Sequence, residues 1–357
     1  MTASGPPVRF VDLLDAADMQ ALQRLAKPVS FVPGAVLMRQ GQPARGAFLI
    51  QTGEVEARVA LPGGGDLPVA QLGAGNVLGE MALLERGIVS ATVVAQTGVN
   101  ALRVAREDFR ALIARRDAAV LKIQQAIALL LAHKLRALNA KVLACDAPED
   151  SPAADEPAGD PLAGVTRKRS TFFDYRRFLP LLSMFHELGE DDIDEVVARA
   201  KLLELPRGHW VFATGQPVGA SYIVVRGAVE ISARRAPAGG VREAALRRRI
   251  AVLGPGEWVG VMSQLDGVIH GSSARARENS VLLEIDRAAF DVLYRASDAT
   301  SGRIQRAIHR SLLQSLRNTN NHLTRLISQA RIRSRRQTLP VQELQSALYG
   351  QLCHVAN

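Results

Sequence analysis

Cysteine is nearly absent from this chain: two residues in 357, Cys145 and Cys353, far apart and without a spaced metal partner. That excludes a disulfide-stapled scaffold and a zinc ribbon, and it makes reduced thiols in a cytoplasm the default. Long apolar runs are missing too. The longest, AIALLLA from Ala126, is bounded by polar residues and falls short of the roughly twenty needed for a transmembrane segment. The opening MTASGPPVRF has no hydrophobic core behind a basic start, so no secretory signal is read there. Aromatic residues are few, although the apolar fraction is ordinary for a globular protein. The histidines are scattered, with no H-E-x-x-H pair, no Gly-rich P-loop and no G-x-S-x-G elbow. No catalysis, no metal and no cofactor are expected.

What is present is length enough for two domains and an uneven charge. The net charge is +9. From Cys145 to Val165 there are six acidic residues and no Lys or Arg, and from Arg303 to Arg336 nine arginines and no acid. The chain has an acidic middle and a basic tail.

The chain also repeats itself. FVPGAVLMRQGQPARGAFLIQTGEVEA, from Phe31, matches LPRGHWVFATGQPVGASYIVVRGAVEI, from Leu205, at an offset of 174. Gly34 falls on Gly208, Gly41 on Gly215, Gln42 on Gln216, Pro43 on Pro217 and Gly53 on Gly227. Further on the offset becomes 181, so that Gly79 meets Gly260, Met81 meets Met262, Arg106 meets Arg287 and Phe109 meets Phe290. KIQQAIALLLAHKLRALN from Lys122 keeps that register with RIQRAIHRSLLQSLRNTN from Arg303. There are two copies of one domain.

Each copy begins with a short helical lead-in that has acids near helix starts. Alternating runs such as AFLIQT, EVEARVAL and SATVVA come next, punctuated by Gly and Pro, as in an antiparallel sandwich or barrel. A long helix closes each copy. Between them, CDAPEDSPAADEPAGDPLAG has no apolar periodicity and reads as a mobile linker. The expected division is residues 1–144, a linker over 145–171, residues 172–326 and a basic tail over 327–357.

With the glycine ladder, GEMALL and the later SATV in order, each copy resembles the cyclic nucleotide-binding domain of Crp/Fnr-type regulators, protein kinase A regulatory subunits and cyclic-nucleotide-gated channels. The resemblance implies an α+β fold: two β-rolls of jelly-roll type, each with short lead-in helices and a long closing helix. It implies a cassette for a cyclic phosphate between two strands. In the first copy Gly79 would permit close backbone approach, and Met81 and Ala82 would aim N–H groups at an anion. Glu80 would accept from a ribose 2′-hydroxyl. Ser90 and Ala91 stand where the family puts small residues against the phosphate, and Asn139 matches a position that touches the base. A cyclic nucleotide (cyclic AMP, cyclic GMP or a cyclic dinucleotide) is the ligand so implied.

Family members usually carry an arginine just before that small pair; here the residue is Val89. Losing one partner of a buried charge pair typically costs ~2–5 kcal/mol. A micromolar site would then weaken toward ~0.1 mM or beyond. Arg86 is the substitute cation in the same loop, with a solvated side chain as the competing reading. The second copy departs further. Val261 replaces the glutamate, and His270 and Gly271 fill the arginine's region. Gly260, Val261, Met262, Ser272, Ser273 and Asn320 therefore outline a degenerate pocket, read as core and interface. Arg247, Arg248, Arg249, Arg275 and Arg277 leave a larger anionic ligand as the alternative.

Ile123, Ile127, Leu131, Leu135, Leu138 and Val142 form a stripe close to heptad spacing. A homodimer through the closing helices is expected, with pairing inside one chain or plain core as alternatives. TRKRSTFF, residues 166–173, resembles a basophilic kinase site but reads more simply as a basic cluster before an N-cap at Ser170 or Thr171. The stretch beyond Leu326 is too short for a winged helix-turn-helix, so specific DNA binding is not expected. A non-enzymatic cytoplasmic sensor or scaffold signalling to an unidentified protein partner is the leading reading. Its rivals are a structural interaction protein with vestigial pockets and nonspecific nucleic-acid binding through the tail.

Overall fold

The computed structural model describes residues 8–60, 65–145, 151–152, 156–169, 178–235 and 246–336. The chain divides into two units, one of residues 1–130 with 333–357 and one of residues 131–332.

In the first unit, helix α1 (Ala16–Leu25) leads into strands β1 (Lys27–Phe31), β2 (Val36–Met38), β3 (Gly46–Thr52), β4 (Val55–Ala60), β5 (Asp66–Leu72) and β6 (Val77–Leu78). Short helix α2 (Met81–Leu84) precedes β7 (Thr92–Ala95), β8 (Val99–Ala105) and α3 (Arg106–Ala114). Two antiparallel sheets result, ordered β1-β8-β3-β6 and β2-β7-β4-β5. The alternation seen in the sequence is the reason. Val55, Ala57, Val93 and Ala95 turn inward to join Ile50, Val99 and Ala101 in one core, while their neighbours face out. The tight turn after β3 needs Gly53, at φ +88°, because a Cβ there would lie 2.2 Å from the Gly98 carbonyl oxygen. Asp15 caps α1 by accepting from the Asp18 N–H at 2.8 Å.

Helix α4 (Ala118–Ala144) starts in the first unit and ends in the second. By length and composition alone it could cross a membrane. Ile123, Ile127, Leu131 and Val142 are nevertheless fully covered within the chain, as befits a core helix. In the second unit its last turns pack Leu138, Val142 and Cys145 against Leu323, Leu326 and Ile327.

The second unit repeats the roll. Strands β9 (Ser151–Pro152) and β10 (Arg167–Arg169) come first, then α5 (Glu190–Arg199), β11 (Lys201–Leu205), β12 (Trp210–Phe212), β13 (Ala220–Arg226) and β14 (Val229–Arg235). After these come β15 (Leu246–Leu253), β16 (Trp258–Val259), α6 (Val261–Asp266), β17 (Ser273–Ala276), β18 (Ser280–Asp286), α7 (Arg287–Arg295) and α8 (Ala299–Arg336). The sheets are β10-β11-β18-β13-β16 and β12-β17-β14-β15-β9. They match those of the first unit, with one added edge strand each.

Both added strands come from residues 145–171, read as a linker: β9 from its acidic part and β10 from the basic cluster at its end. Residues 156–169 instead lie on the second roll, with Leu162 in its core and Arg167 paired to Glu284 at 2.8 Å. The stretch lacks apolar periodicity because a single leucine and edge pairing anchor it. Helix α8 continues to Arg336. The rest of the tail, 337–357, and the Ser170–Thr171 cap lie outside the described residues.

Candidate functional site

In the first roll the cassette is assembled by backbone. Gly79 sits at φ +71°, where a Cβ would come within 2.6 Å of the Met38 methyl and 2.7 Å of the Gly46 carbonyl oxygen. Only glycine fits under that lid. Glu80 comes next, at the start of α2, and is 4% exposed; Ala82 and Leu83 are buried and Met81 half-buried. The Ala82 N–H is already given to the Gly79 carbonyl at 2.9 Å.

The loop after α2 is pinned by the repeated Gly-Gln-Pro. The Gly41 N–H donates to the Val89 carbonyl and the Val89 N–H to the Gln42 carbonyl, each at 2.9 Å, and Pro43 bridges to Ile88. In the sequence that motif serves only as register; in the fold it is the bracket that fixes the residue standing at position 89. Val89 is buried, Ser90 is exposed and Ala91 is half-buried against the roll's core. Arg86 is exposed. Its charge is felt by Arg106, whose pKa is lowered by burial first and then by Arg110 and Arg86. The structure thus brings together Gly79, Glu80, Met81, Ala82, Ser90 and Ala91 on one short helix and the strand opening beside it. Asn139 belongs to the second unit, where its side-chain oxygen is buried without a hydrogen-bond partner.

The second cassette has the same bracket and different contents. The Gly215 N–H reaches the His270 carbonyl at 2.8 Å, and the His270 N–H reaches the Gln216 carbonyl at 3.0 Å. Gly260 again takes a left-handed conformation. Against it lies a ring stack, Phe212 on His270 with centroids 3.8 Å apart, in the places of Met38 and Val89. Burial lowers the His270 pKa to about 4, with the Arg136 charge helping, so the ring is neutral near pH 7. Val261 is buried where the first copy has Glu80.

Arg136, from α4, closes this cassette. Its guanidinium forks onto Asp266 at 2.6 and 3.1 Å and donates to Ser263 Oγ at 3.0 Å and the Ile269 carbonyl at 3.4 Å. The Asp266 side chain is 1% exposed. A charge pair this enclosed satisfies itself and offers little to a ligand. Of the residues read as a degenerate pocket, Gly260 precedes α6, Val261 is buried and Met262 half-buried at its start, and Ser272 is half-buried at the end of its loop. Ser273 does not belong: it faces away from the core residues Ala274 and Ala276, on the other side of the sheet. The strand period of two decides this, and a one-residue slip along β17 is enough to misplace it. Asn320 sits within α8, its carbonyl accepting from Thr324 at 2.9 Å. Among the described residues no group of His, Cys, Asp and Glu could hold a metal ion.

The model of the cyclic nucleotide-binding domain matches residues 28–116 and again residues 202–297, together just over half the chain. The chain belongs to the cyclic nucleotide-binding domain family. It is 37% identical over 144 residues to the CRP-like cAMP-activated global transcriptional regulator of Mycobacterium tuberculosis, a match covering 40% of this chain and 59% of the regulator. It is 33% identical over 129 residues to Glutaminase 2 of Bradyrhizobium diazoefficiens, covering 36% of this chain and 20% of that enzyme. The chain therefore spans less than two thirds of either relative. Among solved structures, the regulatory subunit of a cAMP-independent protein kinase A from Trypanosoma brucei is 17% identical. That match covers 81% of this chain and 87% of the subunit at a TM-score of 0.30. Two cyclic nucleotide-binding domains in tandem thus make up most of the described chain.

Proposed function

We propose that the protein is a non-enzymatic regulatory sensor in which the first cyclic nucleotide-binding domain keeps the ligand cassette and the second has turned its cassette into structure. The observation that carries this reading is the contrast at matched positions. The first copy keeps a buried glutamate behind Gly79 with small residues opposite, whereas the second has Val261, a Phe212–His270 stack and the Arg136–Asp266 pair. A cyclic nucleotide in the first copy would meet Glu80 at its ribose and the α2 backbone at its phosphate, with Val89 supplying no charge. We infer affinity of ~0.1 mM or weaker for the unmodified chain.

Isothermal titration with cyclic AMP, cyclic GMP and cyclic di-GMP tests this, using the unmodified chain, Val89→Arg and Glu80→Ala. Gain of binding by Val89→Arg, and its loss when Glu80→Ala is added, is the expected result. Silence from Val89→Arg with all three nucleotides would sink the reading and leave the rival, two vestigial pockets in an assembly protein.

A homodimer through the closing helices has a competing reading, in which those helices pack inside one chain. Of the α4 stripe Ile123, Ile127, Leu131, Leu135 and Val142 are buried within one chain and Leu138 is half-buried, and Ile304, Ile308, Leu312 and Leu313 of α8 are buried too. We infer that these helices serve one chain, which light scattering behind size exclusion would show as a monomer mass. Nucleic-acid binding through the tail is tested by deleting residues 337–357 and measuring affinity against salt.

A further inference from the structure

The face of β14, β15 and β17 turned away from the roll's core carries a built basic site, already occupied by the chain itself. The Arg247 side chain is 5% exposed and that of Glu156 10%. Arg247 and Ser273 Oγ both donate to Glu156 Oε1. Arg234 pairs with the second carboxylate oxygen at 3.3 Å. Ser232 accepts from Arg247 at 3.1 Å, and the Thr214 N–H steadies Ser273 at 2.9 Å. Trp210 forms the wall, with the guanidinium carbons of Arg247 and Arg275 5.0 and 5.1 Å from its ring. Burial works to raise the Glu156 pKa, but Ser273 and the two arginines hold it below the ordinary carboxylate value.

The added strand lies upstream of the carboxylate. Ser151 and Pro152 pair with Arg247 and Leu246 at the edge of the sheet. Beyond Glu156, Gln216 donates to the Gly159 carbonyl at 2.6 Å and His209 meets the Pro161 carbonyl at 3.0 Å. Most of these are backbone contacts, which any extended peptide could make. Among the described residues the first roll has no comparable cluster. The positions matching Arg247, Trp210, Arg275 and Ser232 are Asp66, Val36, Val94 and Arg58. The ladders confirm the match: Ala60 pairs with Asp66 as Arg234 does with Arg247, and Arg58 with Thr92 as Ser232 does with Ser273.

We propose that this face is a docking site for an acidic peptide segment of a partner protein, and that residues 151–152 and 156–161 are its intramolecular occupant. Glu156 is the anchor, the β15 edge supplies main-chain pairing, and a partner binds by displacing the tethered segment. The site stands whether or not the first pocket takes a nucleotide.

The test is fluorescence anisotropy with a labelled peptide of residues 147–160 and the full chain. The tethered segment competes at an effective concentration on the order of millimolar, so the unmodified chain should bind the peptide poorly. Glu156→Gln should bind it about tenfold tighter or better, because the tethered copy has lost its charge partner. Adding Arg234→Gln, at a half-exposed side chain that the fold does not need, should reverse the gain severalfold. Arg247→Gln should abolish it, provided that circular dichroism shows the variant folded. Three results would each overturn the proposal: no gain with Glu156→Gln, a gain indifferent to Arg234→Gln, or a single-stranded oligonucleotide that outcompetes the peptide.

Discussion

The two rolls share a backbone and differ in what they do with it. Each has the glycine bracket, the short helix, and the strand that leaves it. In the first, the space above Gly79 is bounded by Met38 and the Gly46 carbonyl; in the second, the matching space holds Phe212 stacked on His270. The first cassette holds a buried glutamate, the second an arginine fork on a buried aspartate. A duplicated binding fold thus keeps its shape by backbone constraints and loses or keeps its ligand by a few side chains. Affinity and stability should divide between the copies accordingly.

Grafting the missing cation into each copy should give the largest difference. Val89→Arg is expected to tighten cyclic nucleotide binding by two decades or more. His270→Arg with Val261→Glu should give no binding by titration calorimetry, since Phe212 and Arg136 still occupy the site. Binding by the second graft would break the comparison. Next, Asp266→Ala strands the Arg136 guanidinium and should cost about 3 kcal/mol of stability in urea unfolding. Arg136→Met with Asp266→Leu, which removes both charges, should recover most of that loss.

Acid should expose the same asymmetry. The His270 pKa is lowered in the fold to about 4 from 6.5, so the unfolded chain binds the proton more readily. Its contribution to stability is complete above about pH 6.5 and is lost as pH falls through about 4. A loss of up to about 2 kcal/mol between pH 6.5 and about 5 is expected in urea melts. His270→Val, the residue of the first copy, should remove that part of the slope. His309, fully buried and lowered to about 3, shifts in the same direction and leaves a residual slope.

The smallest effect concerns one charge pair that both copies carry. Asp192 binds Arg303 at 2.5 Å and caps the Gly189 N–H, and its pKa is held to about 2, with the Arg303 hydrogen bond opposing burial. Asp18 and Lys122, the matching pair, stand 3.9 Å apart with the lysine 61% exposed. Asp192→Ala should destabilise by about 1–2 kcal/mol more than Asp18→Ala in the same melts.

Much of this was legible in the sequence, for a physical reason. Glycines held at positive φ and inward-facing aliphatics leave fixed spacings, and the two offsets carried every strand of one copy onto the other. Val89 and His270 could be aligned by counting. What filled the second cassette was harder to see. Arg136 reaches Asp266 across 130 residues and Glu156 reaches Arg247 across 91, and no local pattern announces such pairs. The acidic middle looked like a free linker because backbone pairing and a single leucine leave no periodicity. Ser273 was misplaced by one step on a strand, the smallest error that changes a face.

Arg248 has a bearing on how the chain is made. Its guanidinium, 2% exposed, donates to the Val142 carbonyl at 2.6 Å and to that of Cys145, and so finishes the end of α4. Those carbonyls leave the ribosome about a hundred residues before their donor. At ~5–20 residues per second, the helix end waits on the order of 5–20 s for it, and longer for Leu323, Leu326 and Ile327. The last turns of α4 are therefore a late event in synthesis. A chain stalled before residue 248 would expose Leu138 and Val142 to whatever holds nascent apolar segments.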